Sequence, residues 1–228
     1  MSDADRVVIL GGHGMIALMA APKFKESGYS VDSVIRNPDQ SAEVEAAGAN
    51  AVVLDIESAE TDKLAELFTG AKAVVFSAGA GGGNPDRTRA VDLEAAKRSV
   101  DASAQAGVDR FVMVSYASAG VDLDRVDPDS SFYPYVQAKH GADEHLRASS
   151  LNYTILGPGG LTLEPSKGSV LLADDSGDVD GTTPDSDTRV TSRELVADVM
   201  THVIANDAAK RETVNFYDGD TPIAEAVK

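Results

Sequence analysis

The stretch Gly11-Gly12-His13-Gly14-Met15-Ile16-Ala17 follows the apolar run Val7–Leu10 and precedes apolar residues at helical spacing. Glycine at the first and fourth places lets the chain turn tightly and lets a phosphate come close. Alanine at the seventh is small enough to pack a helix on a strand. The N–H groups that open the helix, with its dipole, favour an anion there. Gly11, Gly12, His13, Gly14, Met15 and Ile16 are therefore candidate contacts for a dinucleotide pyrophosphate. The alternative is a plain glycine-rich turn, with His13 facing water. The second apolar run ends Val34-Ile35-Arg36-Asn37, with no carboxylate to hold a ribose 2′-hydroxyl. Arg36 offers a planar charged fork for a 2′-phosphate. Arg36 and Asn37 thus point to NADP(H), with NAD(H) as the alternative, unless Arg36 is only a solvated surface residue.

These residues need a strand before them and a helix after. Apolar runs rich in Val and Ile predict strands at Arg6–Leu10, Val31–Arg36, Ala51–Asp55, Ala73–Ala78, Arg110–Ser115 and Asn152–Gly157. Nearly all are apolar throughout, as strands covered on both faces should be. Helices are predicted at Met15–Ser27, Ser41–Ala47, Ala59–Phe68, Arg87–Ala106 and Pro134–Ser149. The alternation implies a doubly wound α/β fold, a parallel sheet with helices on both faces. Beyond Gly157 the rhythm breaks. A short strand, a last helix over Thr191–Asn206 opened by a Thr191-x-x-Glu194 capping box, and a final strand "ETVNFYD" are expected. With no linker and no internal repeat, residues 1–228 read as one domain, with Gly157–Pro184 as a small C-terminal cap over the carboxyl edge of the sheet.

The formal charge of −17 argues against nucleic acid or an anionic membrane surface as partner. No cysteine is present, so no disulfide or thiolate metal site is available. His140 and His145 fall on different helical faces, and "SGDVDG" lacks the flanking helices of a calcium loop, so no metal site is expected. The acidic N-terminus "MSDADR" does not read as a secretory signal, and no apolar run is long enough to span a bilayer, so the expected location is cytoplasmic. Neither a Gly-x-Ser-x-Gly elbow nor a Walker lysine is found.

Beyond these features, "GGHGMIA", "LDIES", "SAGAGGG", "VDLEAAKRSVDASAQAGVDRFVMVS", "YVQAKHGADEHLRASSLNYTILGPGGLT" and "DGDTPIAEAV" together resemble the short-chain dehydrogenase/reductase superfamily, in its atypical NAD(P)-binding branch. The resemblance runs nearly end to end. It implies that Asp55-Ile56 line an adenine pocket and that Ser77-Ala78-Gly79 pass the ribose side of the cofactor. It also implies a Tyr-x-x-x-Lys pair, here Tyr135 and Lys139, with Ser115 upstream. Four residues apart, the pair shares a helical face, with Pro134 at the first helical position. By the same resemblance Lys139 also contacts cofactor and lowers the pKa of the Tyr135 phenol, which hands a proton to a carbonyl oxygen as hydride arrives. Tyr116, Ser118 and Tyr133 are the substitutes if the register differs. Asp92 stands where the superfamily's catalytic asparagine would be, and Gly157 where relatives commonly carry arginine.

The expectation is an oxidoreductase or epimerase acting on a small carbonyl or hydroxyl compound, in a chain that could form an oligomer. A nonenzymatic NADP(H)-binding redox sensor and a flavin-reductase-like enzyme are the rival readings.

Overall fold

The computed structural model describes residues 5–81 and 84–228. Met1–Ala4 of the acidic N-terminus, and Gly82 and Gly83 of "SAGAGGG", lie outside the described residues. The strands are β1 (Arg6–Leu10), β2 (Ser30–Ile35), β3 (Asn50–Val53), β4 (Ala73–Phe76), β5 (Arg110–Val114), β6 (Asn152–Pro158), β7 (Gly160–Thr162), β8 (Ser169–Ala173), β9 (Val190–Ser192), β10 (Glu212–Asp218) and β11 (Thr221–Pro222). The helices are α1 (Met15–Glu26), α2 (Ser41–Ala46), α3 (Thr61–Phe68), α4 (Pro85–Thr88), α5 (Ala96–Gln105), α6 (Tyr133–Arg147), α7 (Arg193–Ala205) and α8 (Ile223–Ala226).

The main sheet runs β11-β8-β10-β6-β5-β4-β1-β2-β3. From β3 across to β10 all pairings are parallel. Both faces are covered, which is why the central runs carry no polar alternation. Val7 and Ile9 face a core shared with Phe24 of α1 and Val199 of α7, while Val8 and Leu10 face one shared with Leu64 of α3 and Leu146 of α6. The chain order reverses between β1 and β4. Such a switch point opens a crevice at the carboxyl edge, where open α/β sheets take their ligands.

Four details depart from the expected pattern. Ser169–Ala173 does not stand over the sheet: β8 joins it, antiparallel to β10 and β11. Within the expected cap, the residues that border the crevice are Pro158, Gly159, Gly160 and Leu161. The helix expected over Arg87–Ala106 is three pieces, α4, a π-helical segment Arg89–Ala95 and α5. Thr191 does not cap α7. It lies in β9 and its hydroxyl bonds Phe216 O, while Ser192 Oγ accepts from Leu195 N at 3.0 Å. Glu194 instead accepts from Ser166 N and pairs with Lys23. Finally, Pro134 is the second residue of α6, after Tyr133.

Candidate active site

The glycine loop is built by contact. Gly11 has φ +83°, and a Cβ there would lie 2.6 Å from the Ala78 backbone. A Cβ on Gly12 would lie 2.5 Å from Ser33 Cβ of β2, so both positions exclude side chains. Gly14 opens α1 with no side-chain cap and no acidic residue in the first turn, leaving the first N–H groups of the helix for an external acceptor. Ala17 is fully buried against the sheet. The result is a cradle that any Cβ would fill, fronted by uncapped donors, and it fits a pyrophosphate.

Beside it lies a cavity of about 290 Å³ whose wall includes Gly11, Gly12, His13 and Gly14. Arg36 and Asn37, just past β2, form the opposite wall, and Asp55 and Ile56, past β3, close one end. His13 Nε2 meets Glu43 of α2 at 2.7 Å at the surface. Met15 contributes no wall; its side chain is 48% exposed and only its N–H belongs to the cradle. Arg36 Nη1 is 2.7 Å from Glu57 Oε1, and Arg87 Nη2 is 3.1 Å from the same oxygen. Two guanidinium groups therefore share one carboxylate in the wall of this cavity. Arg98 of α5 pins this wall by donating to the carbonyls of Ile56, Glu57 and Ala59. Sequence reasoning missed both: Arg87 sits in no motif, and Arg98, though inside the stretch that begins Val91-Asp92, is tied to this wall only by contacts across the fold.

Ser77, Ala78 and Gly79 join this cavity to a second of about 610 Å³, where Ile16, Asp92, Ser115, Tyr135 and Lys139 converge. A third cavity of about 480 Å³ shares Ser115, Phe132, Tyr135 and Leu161 with the second. A continuous trench thus runs along the carboxyl edge of the sheet. Ser115 stands one residue past β5, held by Ser115 N donating to Leu156 O at 2.8 Å. Tyr135 packs on Tyr116 and Phe132, with ring centroids 5.6 and 5.4 Å away. Ser118 lines the third cavity, with its hydroxyl donating to Asp122 at 3.0 Å, and Tyr133 lines none of these cavities.

The charges here differ from the expected relay. Lys139 is 2% exposed, and its ammonium donates to Val114 O at 2.6 Å, with no hydrogen bond to either carboxylate among the described residues. The Tyr135 phenol is pushed upward, not lowered: burial does most of it, and the charges of Asp92 and Asp143 add. Asp92, in the π-helical segment, accepts from Ala80 N at 3.1 Å and so grips the loop after β4. Burial raises its pKa against the opposing pull of Lys139 and the Ala80 N–H. Asp143 is a further residue of this cluster that sequence reasoning overlooked. Its Oδ2 accepts from Ser115 Oγ at 2.6 Å, both groups being buried. Eight residues after Tyr135 and four after Lys139, it continues their helical face, a signal present in the spacing.

The missing arginine at Gly157 also has a structural reason. A Cβ there would lie 2.0 Å from Asn215 Oδ1, so the Asn215 carboxamide occupies the space over β6. Asn215 Nδ2 in turn donates to Asp174 O and holds the turn after β8. At the outer end of the third cavity stands Arg189. Among the described residues it is the one arginine whose guanidinium has no hydrogen-bond or ion-pair acceptor.

A protein family described as NAD(P)H-binding matches residues 11–207. YhfK of Bacillus subtilis, named an uncharacterized sugar epimerase, is 35% identical over 225 residues, spanning 98% of this chain and 99% of the relative. A solved structure from Bacillus halodurans, provisionally named an NAD-dependent epimerase/dehydratase, superposes with a TM-score of 0.83 at 30% identity over 97% of this chain and 98% of that one. The oxidoreductase ylbE of Lactococcus lactis has a TM-score of 0.81 at 23% identity, covering 97% and 94% of the two chains, a likeness of fold.

Proposed function

The chain belongs to the NAD(P)H-binding family, with an atypical short-chain dehydrogenase/reductase-like fold, and from that premise we propose an NADP(H)-dependent oxidoreductase or epimerase acting on a small carbonyl or hydroxyl compound. One observation carries the reading: the glycine cradle and the Ser115–Tyr135–Lys139 cluster open into a single trench. When bound, the cofactor's nicotinamide supplies or accepts a hydride.

Gly11, Gly12, Gly14 and the start of α1 would hold the pyrophosphate, and Ser77–Gly79 would pass beside the nicotinamide half. Arg36 and Arg87 favour a 2′-phosphate, which would take the place of Glu57 between them. Lys139 would hold the ribose end and keep a positive charge beneath the reacting oxygen. Tyr135, with its phenol kept protonated by burial, serves as proton donor to that oxygen, and Ser115 holds it in line. Leu161, Phe132 and Tyr116 exclude water from this end. Among the described residues Arg189 has no acceptor, in a chain of net charge −17, and a carboxylate or phosphate on the substrate would supply one.

The test is calorimetry with NADPH and NADH, followed by a carbonyl panel assayed with NADPH, half neutral and half carboxylate-bearing. NADPH should bind more tightly than NADH, and Tyr135→Phe should remove turnover while leaving cofactor affinity intact. Cofactor binding with no turnover of any carbonyl would favour the sensor reading. Activity with free flavin that survives Tyr135→Phe would favour a flavin reductase. No heat with either nucleotide would end all three.

A further inference from the structure

A serine hydroxyl has one proton to give, and Ser115 spends it. Its Oγ donates to Asp143 Oδ2 at 2.6 Å, so toward a ligand it is left as an acceptor only. Such a serine suits a substrate alcohol, which donates, and does not suit a carbonyl oxygen. If Asp143 carries the proton the bond reverses: the carboxylic acid donates to Ser115, and Ser115 is free to donate to a carbonyl. We propose that Asp143 is a positioning residue that sets, through Ser115, whether this end of the trench presents a hydrogen-bond donor or an acceptor. The inference deepens the proposed function and rests on it.

The surroundings of Asp143 suit a group that changes its proton. Asp143 is 1% exposed, and its Oδ1 has no partner among the described residues. A committed carboxylate would be expected to have both oxygens satisfied, since an ionised group with one partner is costly to bury. On its own helix the charges of Lys139 and Arg147 act on it, and Tyr135 and His140 lie on that helix. From the loop after β5 come Ser115 and Tyr116, and Asp92 shares Lys139 with it. Burial outweighs the cations and raises its pKa. Asp143 also walls a fourth cavity of about 430 Å³, distinct from the trench, together with Tyr116, Arg147, Arg211, Thr213 and Asn215. That polar cavity gives a proton a way to and from water that does not pass through the bound substrate.

The experiment has two arms. In the first, infrared spectra of the protein without cofactor are followed against pH. A protonated-carboxyl band should persist above the ordinary carboxylate range, fade as pH rises further, vanish in Asp143→Asn and persist in Asp92→Asn. Absence of any Asp143-dependent band overturns the proposal, whatever the protein turns over. Should Asp143→Asn fail to fold, Ser115→Ala reads the same pair: the band must shift when its hydrogen-bond partner is removed, and an unmoved band overturns the proposal. In the second arm, kcat/KM for a carbonyl from the panel should fall by about tenfold per pH unit above the transition in the unmodified protein. In Asp143→Asn the carboxamide NH₂ donates to Ser115 at every pH, so that alkaline fall should disappear while oxidation of the matching alcohol weakens. An alkaline fall that persists unchanged in Asp143→Asn overturns the proposal. A band with the predicted behaviour, but no turnover of any carbonyl, would sink the proposed function and leave the proton on Asp143 standing.

Discussion

The two ends of β5 each bury a cation, and they treat it in opposite ways. At the amino end Arg110 is 4% exposed and donates to the carbonyls of Asn152, Val203 and Ala208 and to Thr154 Oγ1 at 2.6–3.1 Å. All four acceptors are neutral, and the group borders none of the four cavities described. There the guanidinium ties β6 to the end of α7 and to the turn that follows it. At the carboxyl end Lys139 makes one hydrogen bond among the described residues, lies near two raised carboxyls, and faces a cavity. Five residues of one strand separate a buried charge used as mortar from one left available for chemistry. The lesson is that burial and pKa shift do not by themselves mark a site; open space beside the charge does.

Substitutions at the two ends should therefore separate cleanly. Lys139→Met should lower kcat by roughly 10²–10³-fold, about 3–4 kcal/mol of barrier, while changing stability by no more than about 1 kcal/mol. Stopped-flow turnover and denaturant melts read the two effects. Arg110→Met should do the reverse, losing about 3 kcal/mol of stability because its carbonyl acceptors are left buried and unpaired, with NADPH affinity unchanged. A crossed result, activity lost at Arg110 or stability at Lys139, would break the contrast. Arg36→Glu, in the trench but exposed, should weaken NADPH about tenfold and leave NADH nearly unaffected, by titration. The smallest effect concerns Asp143. Its raised carboxyl costs the folded chain nothing below the ordinary value of about 3.9, and lowers stability as pH climbs from there up to the folded-state value, above which the loss is constant. Asp143→Asn should thus melt higher than the unmodified chain by a margin that grows with pH over that range, and a margin constant across it would contradict it.

The parallel half of the fold was legible because a strand covered on both faces must be apolar throughout, and β1, β4 and β5 are largely so. The direction of β8 was not. Its apolar residues predict a strand but not the neighbour, and the long loop before β9 hides that Ser169–Ala173 turns back along β10. Overlapping signals misled at α7. Thr191 and Ser192 both precede the helix, and only the packing of Thr191 under Phe216 leaves Ser192 as the cap. The glycine loop was legible as a whole, though the need for Gly12 comes from Ser33, a contact across strands that no local pattern carries. Tyr135 and Lys139 stood out by their spacing. The upward shift at Tyr135 did not, because it depends on burial and on Asp143, an acid that a helix in so acidic a chain makes inconspicuous.

The π-helical segment Arg89–Ala95 has one more consequence. A π turn holds one residue more than an α turn, so the segment behaves like an inserted residue absorbed within a helix. Downstream, Ala96 and Val100 of α5 keep their places in the core; upstream, Asn84 and Pro85 border the trench. Shortening the chain by one residue there would turn the Asn84–Thr88 end by about 100° about the helix axis and leave the other half in register. Lineages carrying this scaffold thus have a way to re-aim the rim of the trench by single-residue insertion or deletion, without renegotiating the interior.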